Sequence, residues 1–315
     1  MKRILLLALA ILPLIMACDK DKPEEEEKVT IKLDVTNLTD DGYFDGLLYY
    51  KVTSNSPCEV SVNKVENTAT MVEIPSRIEI NGNIYSCTSI ADNAFYQCGT
   101  LSSITIPNTI RSIGDCSFEG CDDLKNVILS ESIKSISSRA FYGCRDLTTI
   151  TIPKGVTSIM DYAFCNCYKL TTITIPETVT GVGENAFSGT PWYSNQPNGL
   201  VYVGKAAYKY KGEMLETSII ISDGTRSISS YAFDGCFQLV SVTIPESVTT
   251  INWMAFSDCS LLSSIRCRAT TPPIKFHTSF SNYSYENCIL YIPKGSLSSY
   301  KETGWNDFQR IVEEE

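Results

Sequence analysis

The sequence of 315 residues is 43% hydrophobic and 20% charged, which is typical of a folded protein with a large core. Its formal net charge of −10 argues against nucleic-acid binding, which depends on clustered Lys and Arg side chains that neutralise phosphates. The same charge argues against electrostatic adhesion to anionic lipids.

The first 17 residues have the order of a lipoprotein signal peptide. Lys2 and Arg3 precede the apolar run Ile4–Ile15, which is too short to stay in a bilayer as a spanning helix. The run closes with Ile-Met-Ala-Cys, an ending that resembles the lipobox of bacterial lipoproteins. The resemblance implies cleavage before Cys18 and acylation of Cys18, whose several acyl chains anchor a protein stably to a membrane.

Residues 18–28 are predicted to be the lipidated cysteine and an acidic tether. Apart from one Pro, Asp19–Lys28 contains only charged residues, so it cannot bury a core and is expected to be solvated. Charged residues directly after the acylated cysteine also resemble the surface-export signal of lipoproteins in the Bacteroides group. We therefore expect a lipid-anchored protein of the outer membrane that faces the cell surface.

Residues 29–90 are predicted to form a β-rich N-terminal cap and a first turn. Asn81 and Gly82 form a strong hairpin-turn signal between two apolar arms. A segment of this kind can cover the first turn of a repeat structure, which otherwise exposes core and strand edges. The predicted strands are Val29–Val35, Asp45–Val52, Glu59–Val62, Ile78–Ile80 and Ile84–Ser86.

Residues 91–268 repeat a pattern every 23 residues. The pattern is Ile-x-x-x-Ala-Phe-x-x-Cys-x-x-Leu-x-x-Ile-x-Ile-Pro-x-x-Val-x-x. A fixed period of this length indicates a solenoid, in which each unit buries its apolar face against its neighbours. The Phe position is held by Phe95, Phe118, Phe141, Phe164, Phe187, Phe233 and Phe256.

Each part of the repeat predicts a local structure. Leu-x-x-Ile-x-Ile alternates apolar and polar residues, so it is predicted to be a short strand that stacks into a parallel sheet. The following Pro ends the strand because it cannot donate to the ladder. Ala-Phe-x-x-Cys is predicted to be a helical or 3₁₀ turn with its apolar side inward. The expected fold is a mostly β solenoid with short helical turns and a cap at each end.

The period is broken at residues 189–212. The distance from Phe187 to the next repeat strand is 32 residues instead of nine, and the excess equals one unit. Leu200–Val203 and Ala206–Tyr210 resemble the arms of a hairpin around a Gly-Lys turn. We predict a protruding hairpin insert here instead of a degenerate unit.

Residues 269–315 are predicted to form the C-terminal cap, because the period stops before them. Ile289–Pro293 is a predicted last strand, and Lys294–Tyr300 is predicted to open a short helix. A closing apolar set is expected from Trp305, Phe308, Ile311 and Val312.

The repeat unit resembles the BspA-like leucine-rich repeat of bacterial surface proteins. The resemblance covers residues 74–312 and includes Gly-Thr-Pro-Trp-Tyr at residues 189–193 and Tyr-Ile-Pro-Lys-Gly at residues 291–295. It implies a right-handed leucine-rich-repeat solenoid on a cell surface. Members of the family are described as adhesins that bind host matrix proteins such as fibronectin and fibrinogen, so the resemblance also implies a protein ligand.

The residue types argue against catalysis. His277 is the only histidine, which removes most acid–base and triad schemes, and the cysteines lack the spacing of a zinc site. Many Asp and Glu residues are present, but no pair stands out by its spacing. We expect no enzyme activity, no cofactor and no metal. Six cysteines share one repeat position and are predicted to stack as small buried hydrophobes, with disulfides left open: Cys98, Cys121, Cys144, Cys167, Cys236 and Cys259.

The insert concentrates aromatic and basic side chains, which suit protein-binding hot spots and sugar stacking. Alternatively, half of them pack the hairpin against the solenoid. The expected partner is a host extracellular-matrix or cell-surface protein, and the alternative function is a glycan-binding module of a nutrient-acquisition system. The candidate ligand-binding residues are Trp192, Tyr193, Tyr202, Lys205, Tyr208, Lys209 and Tyr210.

Overall fold

The computed structural model describes residues 31–315, so the predicted signal peptide, Cys18 and the acidic tether lie outside the described residues. The described chain winds into a mostly β parallel solenoid of about 11 turns, as the repeat predicts. Each regular turn, or coil, contributes one strand to each of two rows of parallel strands, which are named the front sheet and the rear sheet.

The N-terminal cap is an antiparallel and parallel sheet that continues into the rear sheet. The predicted hairpin around Asn81 and Gly82 is confirmed, with both turn residues at positive φ. Its second arm pairs in parallel with the first rear strand of the solenoid, so the cap extends the repeat structure without a break. The cap strands are β1 (Lys32–Leu33), β2 (Leu38–Thr39), β3 (Gly42–Phe44), β4 (Leu48–Asn55), β5 (Cys58–Val65), β7 (Arg77–Ile80) and β8 (Asn83–Ile90).

The front sheet is built by the Leu-x-x-Ile-x-Ile segments and consists of three pieces, with three, two and five strands. The middle Ile of each strand points into the core: Ile150 is 4% exposed and lies between the exposed Thr149 and Thr151. Its strands are β6 (Met71–Glu73), β9 (Ser103–Thr105), β11 (Asn126–Ile128), β13 (Thr149–Thr151), β15 (Thr172–Thr174), β19 (Ser218–Ile220), β21 (Ser241–Ile244), β23 (Ser264–Cys267), β25 (Ile289–Pro293) and β26 (Arg310–Glu314).

In the regular coils the rear sheet is built by two-residue strands that begin two residues after the Val position of the pattern, as Ser158–Ile159 follows Val156. The second residue of such a strand points into the core, as the buried Ile159 does, and the first residue faces outward, as the half-buried Ser158 does. Its strands are β10 (Ser112–Ile113), β12 (Ser135–Ile136), β14 (Ser158–Ile159), β16 (Gly181–Val182), β18 (Ala206–Lys211), β20 (Ser227–Ile228), β22 (Thr250–Ile251) and β24 (Ile274–Lys275), and β17 (Gly199–Val203) pairs with β18.

The Ala-Phe-x-x-Cys segments are hydrogen-bonded turns that contain bonds between residues three apart, as in a 3₁₀ turn, but they do not continue into a regular helix. The Phe118 N–H donates to the Ala140 oxygen of the next coil, whereas the Cys121 N–H donates to the Phe118 oxygen of its own turn. A helix would direct all these bonds within the segment. The alternation of N–H groups between the two kinds of acceptor requires residues with a left-handed backbone conformation, such as Arg139 (φ 53°) and Gly143 (φ 69°) in the next coil.

The Phe side chains stack along the solenoid axis. From Phe95 to Phe187 the centroids of successive rings lie 4.9, 5.2, 5.5 and 5.7 Å apart. A second stack runs from Phe233 to Phe280 with steps of 4.9 Å, and Phe308 of the C-terminal cap lies edge-on against its last ring. These buried rings give the regular coils of each stack a repeated large apolar contact with their neighbours.

The repeat cysteines form the predicted ladder of buried thiols. All 12 cysteines of the described residues are free. In four coils the thiol donates to the carbonyl oxygen of the Phe in the preceding coil, as Cys144 Sγ does to Phe118 O at 3.2 Å. Burial raises the pKa of Cys98 to about 11, so this thiol is neutral at neutral pH. The ladder therefore stabilises the coils and offers no reactive thiolate.

The C-terminal cap closes the second Phe stack. The strand predicted over Ile289–Pro293 is present as β25, but it is not the last strand, because β26 follows and pairs with it in parallel. The predicted short helix begins at Leu297. Trp305 and Phe308 are buried as predicted, whereas Val312 is 43% exposed because it lies on the solvent side of the edge strand β26. The helices within residues 31–315 are α1 (Pro191–Ser194), α2 (Asn282–Asn287) and α3 (Leu297–Glu302), with 3₁₀ turns at Val35–Asn37, His277–Ser279 and Trp305–Asp307.

A nearly buried ammonium group joins the last rear strand to the C-terminal cap. The Lys275 side chain is 3% exposed, and its Nζ lies 2.9 Å from Asp307 Oδ2 and 4.9 Å from the centre of the Tyr285 ring. His277 Nδ1 lies 3.4 Å from the same carboxylate oxygen. Burial raises the pKa of Asp307, but hydrogen bonds and attraction to Lys275 and His277 outweigh it and hold this pKa below its ordinary value.

Removal of this carboxylate should cost more stability than removal of the amine. Asp307→Ala leaves the Lys275 ammonium buried without a counter-charge, so we expect the free energy of unfolding to fall by roughly 2–3 kcal/mol. Lys275→Met should cost less, because an apolar chain of similar length fills the same space. A greater loss in Lys275→Met than in Asp307→Ala, measured by urea denaturation at neutral pH, would contradict this expectation.

The same pair predicts a pH dependence. Because the pKa of Asp307 is lower in the folded than in the unfolded chain, its contribution is present above the unfolded value and is lost as the pH falls through the folded value. Urea denaturation at a series of acidic pH values should therefore show a smaller acid-side loss of stability in Asp307→Ala than in the wild type.

Candidate functional site

The insert occupies one coil of the solenoid and does not protrude, so that part of the prediction is wrong. Strands β17 and β18 form the predicted antiparallel hairpin, but β18 also pairs in parallel with β20 of the rear sheet. The hairpin turn packs so tightly on the preceding coil that a Cβ atom at Gly204 would meet the Val179 carbonyl oxygen. The insert thus replaces a coil, which explains why its extra length equals one repeat unit.

Strand β18 separates the core into two clusters. Ala206 and Tyr208 pack in the N-terminal cluster and Ala207 packs in the C-terminal one, because successive residues of a strand point to opposite sides. The last ring of the first Phe stack, Phe187, is covered by Trp192 and Tyr208, at centroid distances of 4.8 and 5.6 Å. The hairpin therefore forms an internal wall that both halves of the solenoid pack against.

Tyr208 replaces a backbone acceptor that the hairpin does not supply. In a regular coil the Phe N–H donates to the Ala oxygen of the next coil, as Phe164 does to Ala186 at 2.8 Å. At the insert, the Phe187 N–H donates to the Tyr208 hydroxyl at 3.2 Å instead. The regular pattern resumes at Tyr210, which stands in the Phe position and donates its N–H to the following coil. The Tyr208 hydroxyl thus maintains the hydrogen bonding between coils across the irregular unit.

Most of the predicted ligand-binding residues hold the hairpin in place. Tyr208 is 2% exposed, with its ring against Phe187 and Tyr193, so it is not available to a ligand and its prediction as a binding residue is corrected. Trp192 and Tyr193 lie half-buried on the N-terminal core cluster, and Tyr210 lies half-buried on the C-terminal one. The alternative considered from the sequence, that aromatic residues pack the hairpin onto the solenoid, applies to these four residues.

Tyr202 and Lys205 line a cleft of about 270 Å³ at the tip of the hairpin. The Tyr202 hydroxyl accepts a hydrogen bond from the Ser222 N–H at 3.0 Å, and Lys205 Nζ lies 3.8 Å from a carboxylate oxygen of Glu177. Lys209 is half-buried and lies outside the cleft lining. The lining combines hydroxyl, carboxylate and ammonium groups, so the cleft can form hydrogen bonds and ion pairs with a ligand.

An exposed apolar patch follows the insert, and its exposure does not follow from the repeat pattern. Its five side chains are 37–83% exposed and belong to three consecutive coils. Phe237 stands at the repeat position of Asp122, and Leu261 stands at that of Asp123. Apolar residues at repeat positions that are charged in other units could have predicted this patch from the sequence. The patch consists of Leu215, Ile220, Phe237, Val240 and Leu261.

The described part of the chain offers no metal centre. Within residues 31–315, no group of three or more His, Cys, Asp and Glu side chains is placed to hold a metal ion. No helix in this range has the length and apolar character needed to cross a membrane. The expected absence of enzyme activity stays a prediction.

A family model described as a BspA type leucine rich repeat region matches residues 88–214 and 201–302, in six copies. Among solved structures, the chain is similar to a leucine rich repeat protein of T. pallidum, with 18% identity, a TM-score of 0.44, and coverage of 84% of this chain and 96% of that one. It is also similar to a leucine rich cell surface protein of Faecalibacterium prausnitzii, with 22% identity, a TM-score of 0.38, and coverage of 87% and 94%. A third similar structure is the pneumococcal vaccine antigen PcpA, with 17% identity, a TM-score of 0.44, and coverage of 86% and 98%. No curated protein sequence matches the chain.

We expect the Tyr208 hydroxyl to contribute to the stability of the fold in addition to the packing of its ring. In Tyr208→Phe the Phe187 N–H is left buried without an acceptor, so we expect the free energy of unfolding to fall by about 1–3 kcal/mol. The matched control is Tyr168→Phe, whose side chain is 55% exposed and which should change stability by less than about 0.5 kcal/mol. Equal stability of the two variants in urea denaturation would show that the hydroxyl is dispensable.

Proposed function

The chain belongs to the BspA-type leucine-rich repeat family, a family of bacterial surface type, and we propose that it binds a protein ligand in an adhesin-like manner. The proposed ligand is a host extracellular-matrix or cell-surface protein. The proposed location is the outer membrane surface, with the chain anchored through an acylated Cys18. Binding, and not catalysis, is the proposed activity.

The exposed apolar patch carries this proposal. Clustered apolar side chains on the surface of a soluble domain mark interaction sites, because exposure to water is unfavourable until a partner covers them. Phe237, which is 59% exposed, lies in the coil between those of Leu215 and Leu261. Aromatic and large aliphatic groups surrounded by polar residues, such as the exposed Gln238, are typical of binding hot spots.

The front sheet beside the patch extends the same surface with polar groups. Strands β19, β21 and β23 present a row of hydroxyls, in which Ser241 Oγ donates to Ser218 Oγ at 2.8 Å. These strands are hydrogen-bonded to one another in parallel register, so the surface is formed before a ligand arrives. A preformed surface loses little conformational entropy on binding, which favours affinity.

A lipid anchor would suit this function. The predicted tether of residues 19–28 is long enough to hold the solenoid up to roughly 35 Å from the acylated cysteine when fully extended. Such a distance would place the solenoid beyond the lipid headgroups, with its surfaces accessible to a large partner.

The patch can be tested with charge substitutions. Phe237→Asp combined with Leu261→Asp should weaken binding to a matrix protein at least about tenfold, because a charge would have to be buried in the interface. The control is Ile84→Asp, an apolar side chain of the N-terminal cap that is 54% exposed. Surface plasmon resonance against immobilised fibronectin, fibrinogen and other matrix proteins measures the affinities. The proposal fails if no protein on the panel binds saturably, or if the double variant binds as tightly as the control.

The anchor can be tested separately. In a lipoprotein-processing bacterium, labelled palmitate should be incorporated into the wild type and not into Cys18→Ala, because only the thiol of Cys18 can receive the diacylglyceryl group. Cys58→Ala, which removes a cysteine of the N-terminal cap, is the matched control and should retain the label. Equal labelling of wild type and Cys18→Ala would exclude this anchor.

A further inference from the structure

A groove crosses the outer surface of the rear sheet at the place where the insert replaces a coil. Its volume is about 450 Å³. Gly181 lines it without a side chain, and the Ala206 side chain of the intervening strand is buried in the core, so neither residue fills the space between the flanking coils. Ser227 Oγ bridges this low region by donating to the Thr180 oxygen at 2.5 Å. The groove is therefore a direct result of the insert and spans coils on both sides of it.

The lining of the groove is polar and contains a single charge, which is positive. Arg226 is exposed, and its Nη1 donates to the Ser247 carbonyl oxygen at 3.3 Å. Asn252 Nδ2 donates to the Ile228 oxygen at 2.9 Å, which fixes the amide and leaves its oxygen as an acceptor. No carboxylate lines the groove. The complete lining is Thr157, Ser158, Thr180, Gly181, Arg226, Ser227, Thr249, Thr250 and Asn252.

A second cation stands beside the groove. The Arg226 N–H donates to the Lys205 oxygen at 2.7 Å, so Lys205 and Arg226 occupy the same position of adjacent turns. Among the salt bridges of the described residues, Lys205 approaches Glu177 at 3.8 Å and Arg226 takes part in none. In a chain with a net charge of −10, the Arg226 guanidinium thus has no salt-bridge partner among the described residues, whereas Lys205 lies near the carboxylate of Glu177.

An exposed aromatic side chain follows the lining residue Asn252. Trp253 is 44% exposed, and its ring lies edge-to-face with Tyr231 at a centroid distance of 5.0 Å. This contact holds the indole in place while leaving part of it open to solvent. The electron-rich face of an aromatic ring attracts groups with a positive edge, such as the C–H groups of a pyranose ring.

We propose that this groove binds an acidic oligosaccharide. Arg226 pairs with a carboxylate or sulfate group of the sugar, the Thr and Asn side chains exchange hydrogen bonds with its hydroxyls, and Trp253 stacks on a ring. A guanidinium group matches the planar geometry of a carboxylate and also suits sulfate oxygens. A peptide fits less well, because the lining has no apolar pocket in which a side chain could be anchored.

Isothermal titration calorimetry on the full chain tests this proposal with an oligogalacturonate, a sulfated glycosaminoglycan fragment and neutral malto-oligosaccharides of equal length. We expect at least one acidic probe to bind at least tenfold more tightly than the neutral ones. Arg226→Ala and Trp253→Ala should each weaken that binding at least tenfold. The matched control Lys134→Ala removes an exposed cation from the same repeat position in a coil outside the groove and should leave the affinity unchanged.

The proposal is overturned by no binding of either acidic probe, by equal binding of the neutral oligosaccharides, or by unchanged affinity in Arg226→Ala or Trp253→Ala. Inorganic sulfate that binds as tightly as the sulfated fragment would also overturn it, since the groove would then recognise an anion and not a sugar. The apolar patch variant Phe237→Asp should retain saccharide binding, so this experiment and the test of the protein ligand can fail independently.

Discussion

Each coil of this protein can satisfy its backbone and cover its apolar side chains only through the coils on either side. The N–H groups of the Phe turn alternate between acceptors in their own turn and acceptors in the next coil. The same turn places a Phe ring and a thiol against the preceding coil, where Cys167 Sγ reaches the Phe141 oxygen at 3.0 Å. A change in one unit must therefore still present the groups that its two neighbours require.

The insert meets this requirement with different residues. Tyr208 supplies the acceptor for the Phe187 N–H, and Tyr210 supplies a ring against Phe233 at a centroid distance of 6.5 Å. Thr190 stands in the position of the repeat cysteine, where its hydroxyl donates to the Phe187 oxygen at 2.7 Å and accepts the Tyr193 N–H at 3.1 Å. That second bond caps the N-terminus of α1 and turns the chain toward the hairpin. The irregular unit is thus as tightly integrated as a regular one.

The surfaces proposed to bind ligands all lie at or next to this unit. The regular coils present uniform Ser and Thr rows, which offer little to distinguish one partner from another. At the insert the rows are interrupted, which creates the tip cleft beside Lys205 and the rear groove beside Arg226. The apolar patch around Phe237 begins in the next coil. The protein thus combines a repetitive frame for stability with one irregular region for recognition, and the two sheets allow different ligands on different faces.

The sequence alone determined the period, the front-sheet strand of each coil, the inward positions of Phe, Cys, Leu and Ile, and the two arms of the hairpin. These follow from contacts between residues one repeat apart, which leave a periodic pattern that can be read directly. Only the tertiary structure decided that the hairpin is an internal wall, that Tyr208 is buried, and that Phe237 is exposed. An aromatic residue in an irregular segment belongs to no periodic pattern from which the direction of its side chain could be predicted. Its burial depends on how the segment fits between the neighbouring coils.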